Sequence, residues 1–132
     1  MATEEVRYIT YLQAVLIHFD TMDFFKEIRY GVYLRELIES ALARPQNAAA
    51  YENADIIRQA ATLCFGLIKN HPWYGGNKRT ATAITEAFLG LNGYRVNAVL
   101  GEVALLAYAI DDNSFDLDEI EAWYRQRSTP IR

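Results

Sequence analysis

Apolar residues recur along this chain at helical rather than alternating spacing, and six segments carry the signal. In the first, Thr10 to Asp20, residues Leu12, Val15, Leu16 and Phe19 fall at i, i+3, i+4 and i+7, which predicts an amphipathic helix with those four facing the core. After a loop containing Gly31, the stripe of Leu34, Leu37, Ile38, Ala41 and Leu42 predicts a second helix. Pro45 is expected to stop it, because proline has no N–H to donate and its ring crowds the preceding turn. Gln46 to Ala54 then reads as a polar, alanine-rich connection. Asp55 is placed to cap a third helix running to Asn70, with Ile56, Ala60, Leu63, Leu67 and Ile68 on one face. A fourth, from Asn77, buries Ala81, Ile84, Phe88 and Leu91 and ends at Gly93, a left-handed terminator. Val103, Leu106, Ala107 and Ile110 define a fifth. A sixth starts at Asp116, where Glu119 completes a capping box, and ends near Gln126. Tyr94 to Asn97 reads as a short extended piece and Ser128 to Arg132 as a frayed tail. With no internal repeat, the pattern predicts a compact all-α helical bundle, residues 1–132 forming one domain.

Composition narrows the function classes. With 132 residues the chain can bury a core without disulfides, and its one cysteine, Cys64, is expected to be a small buried hydrophobe. Neither a signal-peptide pattern nor an apolar run long enough to span a bilayer is visible, so the expected location is cytoplasmic, with no membrane partner. The formal net charge of −4, from 13 Lys and Arg against 17 Asp and Glu, argues against direct nucleic-acid binding. Nine tyrosines are more than a core of this size buries with satisfied hydroxyls, so some are expected to line a groove or interface.

The candidate chemistry lies in His71-Pro72-Trp73-Tyr74-Gly75-Gly76-Asn77-Lys78-Arg79-Thr80. Gly75 and Gly76 let the backbone curl so that successive N–H groups converge as an anion nest, which opens onto a helix N-terminus where free amides and the macrodipole attract phosphate. Lys78 and Arg79 oppose that macrodipole, and an anion bound beside them explains their position better than helix stability does. Pro72 biases His71 to an extended conformation that lifts its ring off the helix end, a posture suited to a general base. Each residue also has a structural reading: His71 on the carbonyls ending the third helix, Asn77 bonded to the loop backbone, Lys78 and Arg79 as solvated cations. Their joint presence within nine residues favours phosphate chemistry. Trp73 and Tyr74 are expected to pack and anchor the loop, and His18 to be a satisfied, partly buried histidine. No metal-ligand spacing links His18, Cys64 and His71.

The His71 to Thr80 run resembles the signature of the Fic/Doc superfamily: His-Pro-Phe, a variable residue, an acid, Gly-Asn, Gly or Lys, then Arg. Asn77-Lys78-Arg79-Thr80 sides with the Doc (death on curing) toxins, since Fic adenylyltransferases carry glycine where Lys78 stands. Ser40-Ala41-Leu42-Ala43-Arg44-Pro45 and Asn92-Gly93-Tyr94-Arg95 resemble further Doc-like segments. The resemblance implies a Fic-type helical fold that binds ATP and Mg2+ and transfers the γ-phosphate to a hydroxyl of a translation protein, elongation factor Tu. His71 is then the general base, and Gly75, Gly76, Asn77, Lys78 and Arg79 hold the nucleotide. The lysine turns the nucleotide so that its γ-phosphate rather than its α-phosphate is presented.

The chain departs from that signature at Gly75, where the family keeps its metal-binding acid, so weakened Mg2+ binding is expected. Trp73 replaces Phe, and Gly31-Val32-Tyr33-Leu34 stands where many relatives read Gly-Ile/Val-Arg-Asp. Three functions stay open: a toxin kinase of a toxin–antitoxin module, an AMP transferase of the Fic type, and a catalytically weak module that mainly binds an antitoxin. The nearest match to the Fic inhibitory helix pattern, Thr82 to Ala87, lies inside the motif helix, so regulation is expected in trans, by an antitoxin segment that folds on binding. Gln46 to Ala54 is the expected flap for the target.

Overall fold

A computed structural model describes residues 5–131. In chain order it contains α1 (Tyr11–Phe24), α2 (Arg35–Glu52), α3 (Ile56–Asn70), α4 (Asn77–Leu91), β1 (Tyr94–Val96), α5 (Leu100–Asp111), α6 (Leu117–Arg127) and β2 (Ser128–Pro130). The fold is all-α, with one two-stranded sheet at its margin. At the centre is α3, buried almost all round through Ile57, Ala60, Ala61, Leu63, Cys64, Leu67 and Ile68, with α2, α4, α5 and α6 packed about it. Asp55 caps it by accepting from the Arg58 N–H at 2.9 Å, and Asp116 and Glu119 form the reciprocal box that starts α6. The expected stripe of α5 is buried in full: Val103, Leu106, Ala107 and Ile110. Burial pushes the Cys64 thiol up to about 11, with the Tyr124 hydroxyl donating to its sulfur at 3.5 Å.

The first helix turns largely the other way from the expectation, and of the expected stripe Val15 alone packs against the core. Leu12, Leu16 and Phe19 are 75, 61 and 43% exposed, while Ala14, His18 and Met22 are buried. This helix is apolar on both sides, and periodicity alone does not choose between two apolar faces. His18 decides the matter, since a buried imidazole needs both ring nitrogens satisfied and finds its partners on the inner side.

Pro45 does not stop α2 either. The inward stripe of Ile38, Ala41, Pro45 and Ala48 continues through the proline at spacings of three and four, and Ala48 to Ala50 are the strongest helix formers. Packing and propensity together outweigh the single backbone bond that proline forgoes. Gln46 to Glu52 is therefore helix, closed at Asn53 in the left-handed region (φ 54°), and not a free connection or flap. Leu91, expected in the core, is 41% exposed. Gly93 does take the left-handed turn after α4 (φ 88°) and leads into β1. The tail is not frayed: Ser128–Pro130 pairs antiparallel with Tyr94–Val96, Arg95 opposite Thr129. Arg132 lies outside the described residues.

Candidate active site

Helix α3 delivers the chain to His71, which closes the helix in the left-handed region (φ 47°, ψ 57°). The expected extended conformation is not adopted. The αL turn is the usual way to end a helix, and it overrides the preference that Pro72 imposes on its neighbour. A β-carbon in that region costs on the order of 1–2 kcal/mol, so the packing around the turn holds His71 in a strained posture. Asn70 donates to the Leu37 carbonyl at 2.9 Å, and Lys69 donates to the Asp111 carbonyl at 3.3 Å, fixing the end of α3 on two sides.

Six residues later α4 begins. Gly76 caps it in the left-handed region (φ 68°), and among the described residues no side chain caps its first-turn amides, which can then meet an anion. Asn77 clamps the loop: its Oδ1 accepts from the Trp73 N–H at 3.0 Å and its Nδ2 donates to the Trp73 carbonyl at 3.0 Å. The backbone-holding reading of Asn77 is the one seen. Trp73 is buried and stacks on His18, ring centroids 4.0 Å apart. Within this stack His18 Nε2 accepts from the Gly31 N–H at 2.9 Å, which leaves Nδ1 protonated and donating to Thr80 Oγ1 at 2.8 Å. Burial drives the His18 pKa down to about 4. This histidine is a neutral strut between α1, the segment before α2 and the motif helix.

That segment before α2 lies along the motif loop. Val32 and Trp73 form an antiparallel bridge, the Tyr33 N–H donates to the Pro72 carbonyl at 2.9 Å, and the Tyr74 N–H donates to the Gly31 carbonyl at 2.9 Å. Tyr33 meets Tyr74 edge-on at 5.4 Å. A Cβ at Gly75 would overlap the Arg29 carbonyl oxygen and stand 3.1 Å from its carbon. The place where a side chain would leave the loop at position 75 is thus filled by the Arg29 backbone. Among the described residues no three His, Cys, Asp or Glu side chains converge as a metal set. These residues do not fit a magnesium ion held by an acid of the loop.

Two predicted groups, His71 and Lys78, do converge, with a third that the motif did not reveal. Asp111, the last residue of α5, places Oδ1 3.0 Å from His71 Nε2 and Oδ2 3.3 Å from Lys78 Nζ. The His71 hydrogen bond, then Lys78, hold its carboxyl below the usual range. Lys78 also lies 5.0 Å over the Tyr108 ring. Arg79 faces the other way, paired with Glu27 at 2.9 Å and stacked over Phe25 at 4.0 Å. Both cations of the motif are thus neutralised by carboxylates from other elements. Glu27, Arg29 and Asp111 carry no motif of their own. The one available signal is the Asp111-Asp112 pair at a helix C-terminus, where negative charge opposes the macrodipole.

The family described as Fic/DOC matches residues 8–89 of the chain. Over 64 residues the chain is 39% identical to a protein of Mycolicibacterium smegmatis (strain ATCC 700084 / mc(2)155) named Toxin Doc, which covers 47% of this chain and 49% of that protein. The chain thus spans about half the length of this curated relative.

Proposed function

Because the chain belongs to the Fic/DOC family, we propose that it is a Doc-like toxin that transfers the γ-phosphate of ATP to a hydroxyl of elongation factor Tu. The observation that supports this most is the grouping of His71 with Lys78 beside uncapped first-turn amides of α4. A phosphate meets a helix N-terminus, the Gly76 turn and Lys78 there, and Arg79 joins them on leaving Glu27. His71 takes the proton of the attacking hydroxyl, the hydroxyl oxygen bonds to the γ-phosphorus, and ADP leaves. Catalysis is then mainly positioning and charge stabilisation. No step runs through a metal ion held by the protein, since the residues at Gly75 do not provide for one.

Antitoxin binding completes the proposal. A groove of about 510 Å³ runs between α1, α4 and α5, lined by Thr21, Phe24, Lys78, Thr82 and Ala107. A second hollow continues along the α1–α4 seam past Leu16, Ile17, Ala87 and Leu91. An amphipathic segment that folds on binding suits this apolar seam with cations at one end. The reading of a catalytically weak, antitoxin-binding module is favoured by one observation: Arg29, Glu27 and Asp111 already fill or neutralise the phosphate site. Incubation with elongation factor Tu and ATP labelled at either the α- or the γ-phosphate tests all three functions. Transfer of γ-label alone supports the kinase, transfer of α-label supports AMP transfer, and antitoxin binding without either label supports the binding module.

A further inference from the structure

Two acids close α5, at the end of a helix where a negative charge is locally unfavourable. Asp112 is explained by the turn that follows, since its Oδ1 accepts from the Ser114 N–H at 2.9 Å. Asp111 has no such local task. Its carboxylate reaches away from its own helix to span His71 at the end of α3 and Lys78 in the first turn of α4. Meanwhile Lys69 holds the turn after it, donating to the Asp111 carbonyl and to Asn113 Oδ1. The carboxylate is thereby anchored on a rigid helix end at the meeting of three elements.

We propose that Asp111 is a positioning residue for the base: it accepts from His71 Nε2–H, fixes that tautomer, and leaves Nδ1 as the atom that takes the substrate proton. This deepens the reading of His71 as general base and rests on it. No described residue bonds Nδ1, and the His71 side chain is half exposed, so that face is open to an incoming hydroxyl. A carboxylate behind an imidazole orients the ring and stabilises the imidazolium that forms when the proton arrives. On this chain the same carboxylate also holds Lys78 beside the base. Asp111 from α5 faces His71, and the charged groups gathered about Asp111 are Lys78 from α4, Lys69 from α3, which bonds its carbonyl, and the neighbouring Asp112. Of these only Asp111 bonds the ring.

The test uses the full chain and has two arms, so that the two proposals fail separately. Nitrogen NMR of the His71 ring, which needs no turnover, is expected to show the Nε2–H tautomer in the neutral form, and Asp111→Asn is expected to shift the ring toward a mixture of tautomers. A neutral ring carrying its proton on Nδ1 in the unsubstituted chain, or an unchanged tautomer in Asp111→Asn, overturns the positioning role. In the second arm, γ-phosphate transfer by Asp111→Asn is expected to fall in kcat by roughly tenfold to a hundredfold, within the range that base catalysis contributes. The acidic limb of its pH–rate profile, which the base sets, moves to lower pH, KM for ATP does not rise, and Asp111→Glu recovers part of the rate. Unchanged kcat and pH profile in Asp111→Asn overturn the role as well. Absence of transfer by the unsubstituted chain counts against the kinase reading alone, while the NMR arm still decides the dyad.

Discussion

Placing any side chain at position 75 forces the Arg29 backbone to move. The Gly75 φ is not in the left-handed region, so the conformation itself tolerates an L-residue and the cost comes from contact alone. An added Cβ would stand 3.1 Å from the Arg29 carbonyl carbon and overlap its oxygen, whereas favourable contacts lie at about 3.5 to 4.0 Å. Backbone cannot swing aside as a side-chain tip can. Overpacking of this kind costs roughly 1–3 kcal/mol. Displacing residues 29–33 also weakens the Tyr33–Pro72 and Tyr74–Gly31 backbone bonds, worth about 1 kcal/mol each. Gly75→Ala and Gly75→Asp are therefore both expected to lose about 2–4 kcal/mol in urea denaturation, equivalent to a melting point lower by on the order of 10 °C. Gly75→Asp, which restores the family's acid, is thus expected to be a less stable protein rather than a simple gain of metal binding. Wild-type stability in both variants would refute the claim that Arg29 occupies this space. A loss confined to Gly75→Asp would assign the cost to charge instead.

The remaining predictions concern the strut and the cations. Since the His18 pKa falls from 6.5 to about 4 on folding, the unfolded chain binds the extra proton between those values. The contribution is present above pH 6.5 and is lost as pH falls towards 4, up to about 3 kcal/mol in all. An NMR titration of the His18 ring with a midpoint near 6.5 would contradict this. Thr80→Val leaves the buried His18 Nδ1–H without its acceptor, so about 1–3 kcal/mol should be lost in urea denaturation, while Thr80→Ser stays close to wild type. Glu27→Gln releases Arg79 from an exposed pair. Such a pair is worth at most about 1 kcal/mol, so KM for ATP should drop by about two- to fivefold, and a rise would show that Glu27 supports the site rather than competing for it.

The helices were legible where one apolar stripe or one cap dominated, as at Asp55, Asp116 and the Val103 to Ile110 face. They were misread where two signals competed. Leu12, Leu16 and Phe19 form as good a stripe as the buried one, and only His18's distant partners, Thr80 and Gly31, orient α1. Pro45 is a local stop signal that a continuing stripe and three alanines outweigh. At the site, the contiguous run from His71 to Arg79 announced itself because phosphate chemistry was concentrated in a few residues. Asp111, Glu27 and Arg29 were not legible, because they are 40, 52 and 46 residues away from His71, Arg79 and Gly75. Only the tertiary packing of α5 and of the segment before α2 brings them in. The short strand Ser128–Pro130 escaped for the same reason: its partner is β1, more than thirty residues earlier.

The central claim is that this site moves a terminal phosphate with His71 as base. Its most direct measurement is transfer of label from γ-labelled ATP to purified elongation factor Tu, compared with His71→Ala and with α-labelled ATP. The expected result is γ-label on elongation factor Tu, lost by about a hundredfold or more in His71→Ala, and no α-label. Label from the α-phosphate, or γ-label that survives unchanged in His71→Ala, would contradict it.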